Sequence, residues 1–176
     1  MSKLEISVGQ FSDAGIKPAN EDAIGLHVPE QPLLTNKGMV AVIADGMSGA
    51  ANGAEASETC VHNFITDYYA TPDSWSVKTS ALKILSALNR WLYGQGHSAY
   101  GSARGLVSTL SALVLKSSSA HIFHVGDTRV FLLRDEELQT ITRDHRTHTG
   151  GRDFLTRAMG IELTLDIDHQ VVSVQP

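Results

Sequence analysis

A single cysteine, Cys60, in 176 residues excludes an internal disulfide and a thiolate zinc cluster. It sits among helical apolar positions and reads as a small core residue. No apolar run approaches the roughly 20 residues that a membrane helix needs. Met1-Ser2-Lys3-Leu4-Glu5 passes straight into alternating sequence, with no leader peptide in view, and a cytoplasmic protein is the expectation. There is no block of Lys or Arg, and the net charge is -5, so nucleic acid is not an expected partner. A mildly acidic domain that handles anions needs local cations to offset its own field. Internal repeats and low-complexity tracts are lacking too. The remaining composition, 42% hydrophobic with mean hydropathy -0.06, is that of one soluble globular domain over residues 1–176.

The patterning predicts α+β structure. Leu4 to Phe11 alternates apolar and polar residues and reads as a half-buried strand; Ala23 to Val28 and Gly38 to Ala44 read as two more, joined by a turn-rich surface loop. Cys60, Val61, Phe64, Ile65 and Tyr68 mark one face of a helix over 54–69. Thr71-Pro72-Asp73 stops it, and Ser74 is placed to cap a second helix bearing Val77, Ala81, Ile84, Leu85, Leu88 and Leu92. Gly94 to Gly105 reads as a glycine-rich loop. Thr109 to Lys116 and His121 to Val125 are strands, and Val130–Leu133 and Leu138–Thr142 flank a hairpin turn at Asp135-Glu136-Glu137. Without crossover helices between them, antiparallel pairing is expected. Phe154 to Met159 reads as a short helix and Leu165 to Val174 as a last strand.

The chemistry centres on Gly38 to Gly53. A buried strand delivers Asp45 into Gly46, Gly49 and Gly53. A carboxylate at the mouth of a buried strand needs a cation, a donor set or solvent, and strand, acid, glycine turn and helix together can hold a metal or a phosphate. A plain strand-to-helix turn with an aspartate cap explains the stretch equally well. Asn20-Glu21-Asp22 and Gly126-Asp127 are further acid-bearing turns at strand ends. Oxygen donors gathered this way suit magnesium or manganese, while each taken alone suits a structural turn. Arg129 is placed to pair with Asp127, and Asp144 to form a salt bridge within Thr142–His145. His145 and His148 have the spacing of one helix face but lack a third ligand of the usual kind. His121 and His124 read as sheet residues.

In this order the motifs resemble the metal-dependent serine/threonine protein phosphatases of type 2C. The matching pieces are Ser12-Asp13-Ala14-Gly15, Asn20-Glu21-Asp22, Val42-Ile43-Ala44-Asp45-Gly46-Met47-Ser48-Gly49, Ser108-Thr109-Leu110-Ser111-Ala112, Val125-Gly126-Asp127-Thr128-Arg129, Thr142-Arg143-Asp144-His145 and Leu155-Thr156-Arg157-Ala158-Met159-Gly160. The resemblance implies two packed antiparallel sheets flanked by helices and a centre of two Mn2+ or Mg2+ ions at one end of the sandwich. It implies Asp45 as the bridging carboxylate, Gly46 as a carbonyl ligand, Glu21 with Asp22 on the side of the second ion, and Asp127 at a weaker third ion. The chemistry it implies is hydrolysis of a phosphoserine or phosphothreonine protein by water whose pKa the ions lower, in line with the leaving oxygen.

Three departures matter. Lys17 stands where many members place a phosphate-gripping arginine; lysine is a point charge without the bidentate fork, and it resembles the subset fused to a protein kinase in one parent chain. Met47 stands where animal members carry a histidine proposed as the acid. Two later metal aspartates of the family have no counterpart, so the chain reads as the N-terminal part of a domain, with little activity expected from this stretch by itself. The alternatives are a non-catalytic phosphatase-like module that binds and regulates a partner, and an interaction domain coupled to a kinase.

Overall fold

The computed structural model describes residues 6–47, 50, 52–100 and 105–174. Its elements run β1 (Asp22–His27), α1 (Leu33–Lys37), β2 (Met39–Asp45), α2 (Gly53–Ala70), α3 (Val77–Tyr100), β3 (Leu110–Lys116), β4 (Ser119–Val125), β5 (Phe131–Arg134), β6 (Glu137–Thr140), β7 (Arg146–Thr149), β8 (Arg152–Leu155) and β9 (Asp168–Ser173). Strands β1, β2, β3, β4 and β9 form one antiparallel sheet in that spatial order, and β5-β6 and β7-β8 form two-stranded sheets. Antiparallel sheets flanked by helices are the expected architecture, and that is what is found.

Register sorts the side chains of the large sheet onto two faces, because successive residues of a strand point to opposite sides. Val40, Val42 and Ala44 of β2 pair with His27, Gly25 and Ala23 of β1. Beyond them on the same face are Val114, Ala112 and Phe123. This face is closed by α2 through Ala56, Cys60, Val61, Phe64 and Tyr68, and by α3 through Ala81, Leu85, Leu88 and Leu92, in one continuous buried cluster. Burying each such Leu, Val or Phe contributes about 1.5–3 kcal/mol. The opposite face carries Asp22, Asp45, Ser111, His124 and Asp168. One side of the sheet is thus core, and the other brings chemistry-bearing residues together.

The helix ends follow local rules. Asn52 caps α2, its Oδ1 accepting from Glu55 N at 3.4 Å while its Nδ2 donates to Glu55 Oε2 at 2.7 Å, which satisfies one of the open N–H groups at the helix start. The cap of α3 is Ser76, which accepts from Thr79 N at 3.1 Å; the expectation of Ser74 was two residues early. The helix also runs on through Gly94 and Gly96 to Tyr100, where a loop was expected. Gly96 is buried four residues after Leu92, so the packed face continues although the side chains stop.

Three other expectations change. Among the described residues, 6–11 form no strand, and Val8 (48%) and Phe11 (84%) are exposed; Leu4 and Glu5 lie outside the described residues. Alternation becomes a strand only when a neighbouring edge accepts its hydrogen bonds. The helix expected over 154–159 is absent. Gly150 and Gly151 take φ of 59° and 75°, which makes a tight two-residue turn and folds 146–155 into the β7-β8 hairpin. The loop before β2 contains α1, whose Lys37 is buried and donates to Thr71 O at 2.7 Å, Thr71 Oγ1 at 2.9 Å and Pro72 O at 2.9 Å. This ammonium ties α1 to the α2–α3 connection. Lys37→Ala removes a buried ammonium and its three hydrogen bonds to the part-buried connection, so about 1–3 kcal/mol of stability is expected to go, a fall in melting temperature of roughly 3–10 °C. A thermal melt within a degree or two of the wild type refutes that role.

Candidate active site

Two turns and one pair of strands build the site. Asp22 opens β1 and Asp45 closes β2, directly opposite each other in the antiparallel register. Like charges so placed repel. The strand ends are clamped nevertheless. Gly46 N and Ser57 Oγ both donate to Glu21 O, at 2.9 and 2.6 Å. Asp45 N donates to Thr109 Oγ1 at 3.0 Å, and Thr109 N returns to Asp45 O at 2.9 Å. Asp22 N donates to Asn20 Oδ1 at 3.0 Å, and Asn20 Nδ2 reaches Ser12 Oγ at 2.8 Å, so the segment before β1 is folded back over the same end.

Gly46 is required by a close approach. A Cβ there would run into the Gly53 carbonyl and lie 2.8 Å from Glu21 O. The Glu21 carboxylate in turn faces Gly53, where an added Cβ would lie 2.8 Å from its Oε1. Glycine at both positions lets the start of α2 lie against the acid-bearing turn.

An open cleft of about 360 Å³ runs along this end, with Asp22, Asp45, Thr128, Ser12, Asp13 and Phe11 on its walls. Burial pushes the Asp45 carboxyl up to about 6, and the Asp22 carboxylate beside it and the more distant Asp127 add to this, while the Lys17 ammonium opposes it. Three acids and one lysine therefore share one electrostatic neighbourhood. The donors are hard oxygens, and their mutual repulsion is what a divalent cation relieves, so the residues fit Mn2+ or Mg2+. Among the described residues no three His, Cys, Asp or Glu side chains converge closely enough to enclose an ion.

Glu21, Asp22, Asp45 and Gly46 lie together at one end of the sheet, and Lys17 and Asp127 are near enough to act on the Asp45 charge. Ser48 and Gly49 lie outside the described residues. Arg129 does not pair with Asp127. It grips Asp144 through Nε–Oδ1 at 2.8 Å and Nη2–Oδ2 at 2.6 Å, and this fork holds the Asp144 carboxyl below its usual range. Arg146 joins Asp144 at 3.1 Å and stands 3.7 Å from Asp127. His145 and His148 share no helix face. His148 lies on the exposed hairpin against Asp153 at 3.0 Å. His145 is buried, its Nδ1 accepting from Gly126 N at 3.1 Å and its Nε2 facing Asp168 at 3.0 Å. Desolvation works against the charge on Asp168, but His145 and Arg157 outweigh it and the carboxyl stays below its ordinary value.

The buried polar row behind the acids was not singled out from sequence. Ser111 Oγ lies 2.8 Å from His124 Nδ1 and 2.8 Å from Thr128 Oγ1. A serine beside a histidine suggests a nucleophile, but Ser111 is only 3% exposed, which excludes attack on a substrate. Cys60 is no nucleophile either: complete burial pushes its thiol up to about 12. The signal that could have found the row is period-two alternation in β3 and β4, which puts Ser111 and His124 on the same face as Asp45 once the register is known.

Antiparallel sheets flanked by helices, with carboxylates clamped at one end, present oxygen donors of the kind that hard divalent cations take. A family model described as protein phosphatase 2C matches residues 18–165. The serine/threonine phosphatase stp of Listeria welshimeri is 28% identical over 188 residues, covering 91% of this chain and 69% of that protein. The crystal structure of the serine/threonine phosphatase Stp1 from Staphylococcus aureus superposes with a TM-score of 0.77 at 22% identity, over 98% of this chain and 76% of that one. The catalytic domain of the serine/threonine protein phosphatase PstP, solved in complex with two manganese ions, gives a TM-score of 0.69 at 21% identity, over 91% of this chain and 68% of that one. The chain belongs to the protein phosphatase 2C family, the metal-dependent serine/threonine protein phosphatases.

Proposed function

We propose that Asp45, Asp22, Glu21, the Gly46 carbonyl and Asp127 supply part of a site for two Mn2+ or Mg2+ ions, with Lys17 as the phosphate-binding cation. The observation that carries this reading is Asp22 set opposite Asp45, with the Asp45 carboxyl pushed up to about 6 in the ion-free protein. Burial and the Asp22 carboxylate opposite make the Asp45 carboxyl hold its proton more tightly than usual, a penalty that a cation relieves. The two manganese ions of PstP support the choice of metal. The match spans 91% of this chain and 69% of the Listeria phosphatase.

The ions, when bound, lower the pKa of water and neutralise charge on the phosphoryl oxygens. The chain's own residues do the rest. The Thr109 and Gly46 hydrogen bonds hold the Asp45 turn rigid, so its carboxylate is aimed before the substrate arrives. Lys17 draws the phosphate into the acidic cleft as a point charge, without fixing its orientation as a guanidinium fork would. Phosphoserine and phosphothreonine proteins are the substrates this implies. Lys17 also supports a kinase domain in the same parent chain, which the parent gene tests directly. Among the described residues no helix is long and apolar enough to cross a membrane.

The test is hydrolysis of a phosphothreonine peptide by the full gene product. Activity is expected with Mn2+ and none after chelation; an unchanged rate in the presence of a chelator defeats the reading. A binding module without catalysis is favoured by one observation, that the described donors do not close around an ion. Saturable phosphopeptide binding with no turnover at any Mn2+ concentration would establish that alternative.

A further inference from the structure

We propose that Ser111 and His124 are positioning residues. Through the Thr128 hydroxyl they hold the turn that presents Asp127 to the acidic cleft. For the metal this rests on the function proposed above; for the turn itself it rests on geometry alone.

The direction of each hydrogen bond can be worked out. His124 Nε2 lies 3.1 Å from the Arg143 carbonyl, which can only accept, so Nε2 carries the proton and Nδ1 is left as an acceptor. Ser111 therefore donates its hydroxyl hydrogen to Nδ1 at 2.8 Å. Its oxygen is then free to accept from Thr128 Oγ1, also at 2.8 Å. The result is a one-way chain, Thr128 to Ser111 to His124 to the Arg143 carbonyl. Ser111 and His124 are 3% and 1% exposed, so the chain is dry where it is anchored. It reaches the cleft at Thr128, which shares a wall with Asp22 and Asp45.

The ends of the turn are fixed separately. Gly126 N donates to His145 Nδ1 at 3.1 Å, and Gly126 O accepts from His145 N at 2.7 Å. On the far side Val130 N donates to Thr142 Oγ1 at 3.0 Å. Between these anchors Arg146 stands 3.7 Å from Asp127, both side chains part-exposed. The Thr128–Ser111 bond ties the same turn to the buried side of the sheet. Removing it leaves the turn anchored at both ends and loose at the acid.

Ser111→Ala is the test, with 15N relaxation of the ion-free chain as the first readout. Order parameters at Asp127 and Thr128 are expected to fall from the rigid value of about 0.85 toward 0.6, with β3 and β4 unchanged. In the full gene product, free Mn2+ counted by electron paramagnetic resonance should show binding weakened about tenfold. Thr128→Val should do the same, Ser111→Ala combined with Thr128→Val should be no worse than Thr128→Val alone, and Thr128→Ser should behave as wild type. Unchanged order parameters, loosening spread through the whole sheet, or additive effects in the double variant would overturn the proposal. If Ser111→Ala does not fold, Thr128→Val on the open turn removes the same hydrogen bond and is read by the same criteria. Wild-type protein that binds no Mn2+ would defeat the metal reading, and the relaxation data would still decide whether the turn is held as described.

Discussion

Asp45→Asn is expected to remove Mn2+-dependent phosphatase activity by about a thousandfold or more, a loss of several kcal/mol of transition-state stabilisation, and at the same time to stabilise the ion-free chain. Both effects have one cause. Burial and the neighbouring Asp22 push the Asp45 carboxyl up to about 6, so the fold strains against that charge when no cation is present. A folded value above the unfolded one means that the folded state holds the proton more tightly. The contribution of Asp45 is therefore fully present below about pH 4 and is lost as pH rises through about 6. At pH 7 the asparagine variant escapes the penalty. The carboxylate is part-exposed, so solvent discounts the gain to about 1–2 kcal/mol. Asp144 and Asp168 titrate in the opposite sense, their depressed values giving stability that disappears as pH falls. The difference between wild type and variant, followed by denaturant unfolding from pH 4 to pH 7, isolates Asp45. A constant difference across that range contradicts the electrostatic account, and a variant that retains its Mn2+-dependent rate contradicts the role in catalysis.

Gly46→Ala should be the most damaging single methyl group in this region. The added carbon would be driven into the Gly53 carbonyl and held 2.8 Å from Glu21 O. Both neighbours are backbone, so neither can rotate away. Either the entry to β1, with Glu21 and Asp22, or the start of α2 must move. Overpacking of this kind costs about 3 kcal/mol, which lowers the melting temperature by roughly 6–12 °C for a domain of this size. The displaced acids should also weaken Mn2+ binding. A variant that melts within two degrees of wild type and binds Mn2+ normally would show that the two turns are less tightly packed than their geometry implies.

How much of this was legible in the sequence varies from element to element. The faces of α2 and α3 were legible because their apolar residues repeat at helical spacing, and β2 because a Val- and Ile-rich run ends in Asp45-Gly46. The order of short acidic motifs identified the class of chemistry. The hairpin at 146–155 was not legible. Phe154 to Met159 has an apolar spacing that suits a helix, and only the φ values of Gly150 and Gly151 show that the chain turns back there. The continuation of α3 beyond Leu92 was hidden for the converse reason, since two glycines interrupt the pattern while the buried face persists. Ser111 lies in a family motif and His124 in a clear strand, yet neither residue announced the other across the 13 positions that separate them.

The amino-acid order by itself determined which residues could be core, where acids stand at the ends of strands, and the sequence of motifs that places the chain in its family, because these depend on neighbours a few positions apart. Tertiary structure decided which of those residues meet. Asp22 faces Asp45, and Ser111 faces His124, through strand register, and register is set by the summed packing of whole strands and helices, a non-local quantity that no short window of sequence contains.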